Sequence, residues 1–207
     1  MKNTMEKEIR NLGDIQLRAE AGEASRHVEG YALIFDTQSE YLGFYEKIER
    51  GAVTQEMIDQ CDVFACFNHD MDKVLARSNN GQGSLKLTVD DKGLKYEFDA
   101  PHSALGDELL EYLKRGDINK SSFAFYVDPA DDESEEWTSN DGVYFRTIKK
   151  IASIVDVSPV WQPAYNDTSV LKRSLDKIEE LKKEDKLKII SEKLDAKMSQ
   201  IEEIADI

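Results

Sequence analysis

The chain has 207 residues and a formal net charge of −15, from 27 Lys and Arg against 42 Asp and Glu. This length accommodates one ordinary domain with some chain left over, and such a domain folds without disulfides or structural metals. The acidic balance argues against a general phosphate-backbone binder, which needs clustered Lys and Arg, so nucleic acid is not an expected partner.

The cysteine usage and the apolar runs favour a cytoplasmic, soluble protein. Cys61 and Cys66 lie in one short stretch without a CxxC pattern or a further Cys or His pair nearby, which predicts reduced thiols and no zinc site. No 18 apolar residues run together, and the N-terminus lacks the apolar stretch of a signal peptide. We therefore expect no membrane association, no metal and no other cofactor.

The first third of the chain predicts strands and one helix. Residues 14–36 alternate apolar and polar side chains on both sides of a Gly-containing connection, which predicts a strand pair. Thr54 precedes apolar residues at helical spacing and predicts an N-cap. The continuous apolar run 63–67 predicts a buried strand, which ends at the polar residues 68–70.

The middle third contains the clearest local signals. Two alternating segments, 84–89 and 94–98, flank a polar connection that contains Gly93 and predict a hairpin. Residues 103–116 place leucines on one helical face between a serine cap and a terminal glycine. The helix leads into a strand over 119–127.

The remainder of the compact region predicts a loop and two strands. Residues 128–142 contain seven carboxylates and few apolar side chains, which predicts a surface loop. Strand character returns over 143–145 and 148–157, and we expect the sheet to end within 158–164, where two prolines lie close together.

The composition changes near residue 170. From 171 to 207 there is no Gly, Pro or aromatic residue, and apolar residues recur at spacings of mostly three and four. This pattern predicts one long helix or a helix pair, suited to a coiled coil or to docking on a partner helix. We expect a compact domain over 1–170 and a helical tail over 171–207.

Three polar features of the sequence are candidates for a catalytic role. His69 ends the apolar strand between Asn68 and Asp70, as a general base facing a cleft would, although the local pattern is more often that of a strand-end histidine bonded to backbone. His27 and His102 have the character of surface residues.

A serine pair and an aspartate are the other two candidates for a catalytic role. Ser121 and Ser122 open a strand; a serine nucleophile needs an adjacent base, but paired serines there are also common turn residues. Asp156 is an acid within an apolar strand, either buried and paired, for instance with a histidine, or at a strand edge facing solvent.

Six short motifs then occur in one order between Glu29 and Val170: E-G-Y-A-L-I-F, E-x-I-x-x-G-A-V, F-N-H-D, a D-x-x-G-L hairpin, S-S-F-A-F and V-D-V-S-P-V-W-Q-P-A-Y. Together they resemble the prohead maturation proteases of tailed bacteriophages. The resemblance implies a strand-rich α+β fold similar to the herpesvirus assemblin proteases, with a β-barrel surrounded by helices.

The resemblance also implies roles for individual residues. The family histidine lies in the N-H-D motif, which makes His69 the general base. The family serine lies in an S-x-G-F pattern that aligns with residues 122–125, which makes Ser122 the nucleophile and leaves Ala124 where the family commonly has Gly. The family acid, often Glu, precedes V-S and corresponds to Asp156, the residue that would orient the histidine.

The implied activity is a serine endopeptidase that cleaves capsid or scaffold protein segments and itself, inside the procapsid in the host cytoplasm. No cofactor is implied. We expect a homo-oligomer through the tail or the barrel helices. The tail either recruits the enzyme to the procapsid or serves dimerisation or packing on its own domain. The competing hypothesis is a catalytically silent scaffold or capsid assembly protein with the same fold.

Overall fold

The structure, a computed structural model, describes residues 5–11, 18–19, 26–161 and 168–205. These residues form thirteen strands: β1 (Lys7–Asn11), β2 (Arg18–Ala19), β3 (His27–Ile34), β4 (Tyr45–Ile48), β5 (Asp62–Phe67), β6 (Asp70–Asn79), β7 (Gln82–Gly83), β8 (Lys86–Val89), β9 (Gly93–Asp99), β10 (Lys120–Tyr126), β11 (Glu135–Asn140), β12 (Val143–Ile148) and β13 (Ser153–Val160). The helices are α1 (Gln55–Ile58), α2 (Ala104–Arg115) and α3 (Thr168–Ala205).

The strands form three sheets in the described part of the chain. A six-stranded sheet has the order β1-β10-β13-β5-β6-β7, a four-stranded sheet the order β2-β3-β9-β8, and a three-stranded sheet the order β11-β12-β4. In the largest sheet, β10 is antiparallel to both β1 and β13, whereas β13 is parallel to β5. Residues from β5, β10 and β13, far apart in sequence, therefore lie side by side.

The strand-rich α+β class is confirmed, but the β-barrel prediction is wrong. Closing a barrel requires the two edge strands of a sheet to pair with each other. In the six-stranded sheet the edges are β1 and β7, and β7 has only two residues, both paired with β6. None of the three sheets closes within the described residues.

Several local predictions are confirmed by the structure. The Thr54 side chain accepts a hydrogen bond from the Met57 amide, and Ser103 caps α2 in the same way through the Gly106 amide. Helix α2 ends at Gly116, whose φ of 78° is left-handed, where glycine is favoured. Strands β8 and β9 form the predicted hairpin. Of the first predicted strand pair, residues 18–19 pair with β3, and residues 14–17 lie outside the described part.

Of two predictions about irregular segments, the one for the acidic stretch needs correction. Within the acidic stretch 128–142, residues Glu135–Asn140 form β11 and pair with β12. Glu135 accepts a hydrogen bond from Arg146 of β12, and Trp137 packs on Phe44, which directly precedes β4. The strand β13 ends at Val160, within the stretch 158–164 where we expect the sheet to end, and residues 162–164 lie outside the described part.

Side chains from all three sheets form one hydrophobic core, which includes Leu33, Ile48, Val63, Tyr96 and Phe123, each at most 1% exposed. The chain divides into two compact units, Met1–Asp167 and Thr168–Ile207. The second consists of α3 as far as the structure describes it. In the described residues, no helix combines the length and apolar character needed to cross a bilayer.

Candidate active site

His69 lies in a tight turn at the end of β5. Phe67 and Asp70 pair across the hairpin, so that Asn68 and His69 are its two central residues, with φ angles of 56° and 60°. Two-residue hairpins favour positive φ at both positions, which Asn tolerates better than His. The backbone amide of Asn68 donates a hydrogen bond of 3.0 Å to the Pro159 carbonyl of β13, and this bond holds the turn against the sheet.

The strand β10 presents its two serines to opposite faces, as strand geometry requires. Ser121 donates a hydrogen bond of 3.1 Å to the Tyr96 hydroxyl in the core. Ser122 faces the histidine instead, and its Oγ lies 2.6 Å from His69 Nε2. Strand alternation thus separates the two adjacent serines, of which only Ser122 contacts the imidazole.

Asp156 completes a chain of three side chains. Its Oδ1 lies 2.6 Å from His69 Nδ1, on the side of the ring opposite Ser122. The side chains of Asp156 and His69 are 2% and 10% exposed, so both are shielded from solvent. With His69 protonated on Nδ1, the ring donates to the carboxylate and accepts from the serine hydroxyl, which is the arrangement of a nucleophile, base and orienting acid. The three residues that the sequence suggested are brought together.

Two further contacts at the site did not emerge from the sequence. The Ser158 hydroxyl donates a hydrogen bond of 2.7 Å to Asp156 Oδ1, and Ser158 is fully buried. The spacing of two between Asp156 and Ser158 in one strand was the available signal, since such residues share a face. The Ser122 hydroxyl also lies 3.1 Å from the Arg10 carbonyl of β1, which offers its proton a second, more distant acceptor.

The nearest thiol does not act as a competing nucleophile. Cys66 is buried next to the turn, and its Sγ lies 3.5 Å from Met71 Sδ. Burial raises the pKa of the Cys66 thiol to about 12, with the Asp156 and Asp70 carboxylates contributing in the same direction. Because the thiolate is the reactive form, Cys66 is inert at neutral pH.

A buried ion cluster joins β1, the neighbour of the nucleophile strand β10, to the three-stranded sheet. It consists of Glu8, Arg10, Glu46, Glu135 and Arg146. Arg146 Nη1 lies 2.6 Å from Glu8 and 2.8 Å from Glu46, and Arg10 contacts the same two carboxylates. Burial alone would lower the pKa of Arg146, but Glu8 and Glu46 outweigh that effect and raise this pKa well above its usual value. Arg146 thus stays charged although its side chain is buried.

The other two histidines lie away from this site. His27 contacts Asp99 at 3.2 Å between β3 and β9, and His102 is exposed just before α2. Among the residues that the structure describes, no three His, Cys, Asp or Glu side chains are grouped in a way that could hold a metal ion. The chemistry available at His69 is proton transfer to and from a serine hydroxyl.

Comparisons with known proteins show what this chain is similar to. No curated protein matches the chain. Among solved structures, the capsid assembly protease gp21 of bacteriophage T4 matches with a TM-score of 0.46 and 11% sequence identity, over 77% of this chain and 100% of that one. The family model described as caudovirus prohead serine protease matches residues 13–184, which include His69, Ser122 and Asp156. The chain therefore belongs to the caudovirus prohead serine protease family.

Proposed function

We propose that this protein is a serine endopeptidase of phage prohead maturation, in which Ser122 is the nucleophile, His69 the general base and Asp156 the orienting acid. The observation that carries the proposal is the pair of 2.6 Å contacts that joins Ser122 Oγ to His69 Nε2 and His69 Nδ1 to Asp156 Oδ1. Family membership supports the class of activity.

In the first half of the reaction, Ser122 Oγ attacks the carbonyl carbon of a peptide bond while His69 Nε2 takes the hydroxyl proton. The resulting imidazolium is stabilised by Asp156, to which Nδ1–H already donates. Collapse of the tetrahedral intermediate breaks the C–N bond, and His69 gives the proton to the leaving amine. An acyl ester on Ser122 remains.

Water completes the cycle by the same proton path in reverse. His69 Nε2 takes a proton from the water, the hydroxide adds to the ester, and collapse of the intermediate returns the proton to Ser122 Oγ. The Asp156 carboxylate contributes by fixing the tautomer that leaves Nε2 free to accept. Because the side chains of His69 and Asp156 are largely shielded from solvent, their interaction is weakly screened.

Ser122 has no exposed surface in this structure. We infer that the structure corresponds to a closed form, and that access of a peptide carbonyl to Oγ requires its surroundings to open. A closed resting form suits a protease that acts only after it is enclosed with its substrates. The substrates that we propose are segments of capsid and scaffold proteins and the protease itself, within the procapsid in the host cytoplasm.

We further propose that residues 1–170 form the protease domain and that the tail, 171–207, either recruits the enzyme to the procapsid or mediates self-association. The helix α3 exposes Leu187, Ile190 and Leu194, which recur at spacings of three and four. Deletion of 171–207, followed by counting protease copies in purified proheads, tests the first role. Unchanged incorporation would reject recruitment.

Intact mass measured over time tests the activity. Wild type, Ser122→Ala and the matched control Ser121→Ala are incubated at high concentration, with and without the cognate capsid protein. We expect wild type and the control to shorten themselves or the capsid protein, while Ser122→Ala stays whole. The control is informative because Ser121 lies beside Ser122 but bonds to Tyr96.

Two results would contradict the proposal. If Ser122→Ala cleaves at the wild-type rate, the nucleophile is another residue. If every form stays whole, including after assembly with capsid protein into proheads, the alternative of a catalytically silent assembly protein takes its place.

A further inference from the structure

The acid of the site is held by a second side chain besides the histidine. Asp156 Oδ1 accepts hydrogen bonds from both His69 Nδ1, at 2.6 Å, and Ser158 Oγ, at 2.7 Å. We propose that Ser158 is a positioning residue, whose hydroxyl keeps the Asp156 carboxylate turned towards His69. This inference rests on the proposed function, since it assigns a role within the same site.

The physical argument begins with burial. Asp156 is 1% exposed and Ser158 is fully buried, so water does not compensate for a missing partner. A buried carboxylate needs hydrogen bonds to remain charged. The torsion that turns a carboxylate about its Cβ–Cγ bond is broad, so a single bond from His69 would hold the group loosely. A second donor on the same oxygen fixes that torsion.

The strand β13 makes the arrangement rigid. Asp156 and Ser158 lie on the same face of β13, and Ser158 is the register partner of Ser122 on β10. The carbonyl of the next residue, Pro159, accepts a hydrogen bond from the backbone amide of Asn68, which lies in the turn that carries His69. One short segment of β13 therefore orients the imidazole through Asp156 and Ser158 and holds its backbone through Pro159.

Proline at position 159 is compatible with this central strand. The Pro159 carbonyl points towards the β5 side, where it meets Asn68, and the nitrogen of the same residue points to that side as well. The register pairs between β13 and β5 end at Val157 and Ala65, so no ladder bond from the Pro159 nitrogen is required there.

The other ionisable groups around the site have interactions of their own that do not involve Ser158. Asp70, at the start of β6, pairs with Lys73 at 3.3 Å. Cys66 keeps its proton, since its pKa is raised to about 12 by burial and by the two neighbouring carboxylates, while Lys7 of β1 acts in the opposite direction. A change in the rate at which Ser122 reacts in a Ser158 variant therefore reports on the contact between Ser158 and Asp156.

The test uses the full chain and a fluorophosphonate, which reacts with activated serines and needs no known substrate. The second-order rate constant for modification of Ser122 is measured for wild type, Ser158→Ala and Ser158→Thr. The matched control is Ser134→Ala, because Ser134 is also buried but donates to the Asp128 carbonyl. Circular dichroism checks that each variant is folded.

We expect Ser158→Ala to react roughly tenfold to a hundredfold more slowly, the range for a lost hydrogen bond to a charged group. Ser158→Thr retains the hydroxyl and should recover most of the rate, and Ser134→Ala should match wild type. A purely structural role for Ser158 would lower thermal stability without this rescue pattern. If Ser158→Ala fails to fold, Ser158→Cys, a weaker donor of similar size, takes its place.

A second readout does not depend on reactivity. The hydrogen-bonded Nδ1 proton of His69 gives a downfield proton NMR resonance, identified by its loss in His69→Gln. We expect the resonance to broaden or disappear in Ser158→Ala, because the carboxylate is then free to rotate. An unchanged resonance together with a wild-type rate would overturn the role of Ser158. A wild type that does not react indicates that the closed form keeps the probe from Ser122. The resonance then decides on Ser158, and the intact-mass measurement in assembled proheads decides on the proposed function.

Discussion

Replacing Arg146 by Met removes the central cation of the buried ion cluster. In the wild type, Arg146 contacts Glu8, Glu46 and Glu135 at distances of 2.5 to 2.8 Å, and its side chain is 1% exposed. After the replacement, Arg10 is the cation that remains in the cluster to compensate three carboxylates. Met has a similar length but no charge, so the perturbation is mainly electrostatic.

The expected loss of stability is large. Removing one partner of a buried ion pair costs about 3–5 kcal/mol, because the other charge is left uncompensated in a region that water does not reach. A domain of this kind has about 5–15 kcal/mol of total stability. For 150–250 residues, each kcal/mol corresponds to about 2–4 °C in Tm, so we expect Arg146→Met to melt about 6–20 °C below wild type.

Differential scanning fluorimetry of wild type, Arg146→Met and Arg77→Met measures this effect. Arg77 also pairs with a carboxylate, Asp62, at 2.6 Å, but their side chains are 48% and 44% exposed. Solvent compensates the loss of such a pair, so Arg77→Met should melt close to wild type. If Arg146→Met melts at the same temperature as Arg77→Met, the assignment of the cluster as a stabilising anchor of β1 is wrong.

Three further predictions concern single residues. Iodoacetamide at pH 8 should leave Cys66 unmodified in the native protein, because burial raises its pKa to about 12, and should modify it after unfolding; peptide mass mapping that finds native labelling would contradict this. A Cβ at Gly93 would lie 2.0 Å from the Leu33 carbonyl, so Gly93→Ala should cost about 1–3 kcal/mol in urea denaturation, and an unchanged midpoint would count against it. Asp156→Asn should slow fluorophosphonate modification of Ser122 by up to roughly 10⁴-fold, and a wild-type rate would exclude Asp156 as the orienting acid.

Elements that depend on neighbouring residues could be predicted from the sequence. The β8–β9 hairpin follows from a polar turn in which Asp90 accepts the amides of Lys92 and Gly93. Helix α2 follows from the Ser103 cap and Gly116. The apolar run 63–67 corresponds to the buried strand β5, with His69 directly after it. In each case the interacting groups are only a few positions apart.

Elements whose partners are distant were predicted poorly. The acidic segment 128–142 predicted a loop because its own composition lacks apolar residues. Its strand β11 is stabilised from elsewhere, since Glu135 accepts from Arg146 and Trp137 packs on Phe44 at a ring distance of 5.0 Å. The barrel, which the resemblance implied, was wrong for a related reason. Closure depends on which edge strands meet, and short sequence motifs contain no information about that.

The sequence by itself determined the types of residue available for catalysis and, through a resemblance over six motifs, the protease family. Without the resemblance, the residues left open whether Ser121 or Ser122 faces the histidine and whether Asp156 is buried. Only the tertiary structure decided these points, because Ser122 lies 53 and Asp156 lies 87 positions from His69. Pairing of β10 with β13 and of β13 with β5 converts those separations into hydrogen-bond distances. The contact between Asp156 and Ser158 lies within one strand and has a signal in their spacing of two. The buried ion cluster joins residues of β1, β4, β11 and β12 and leaves no periodic signal along the chain.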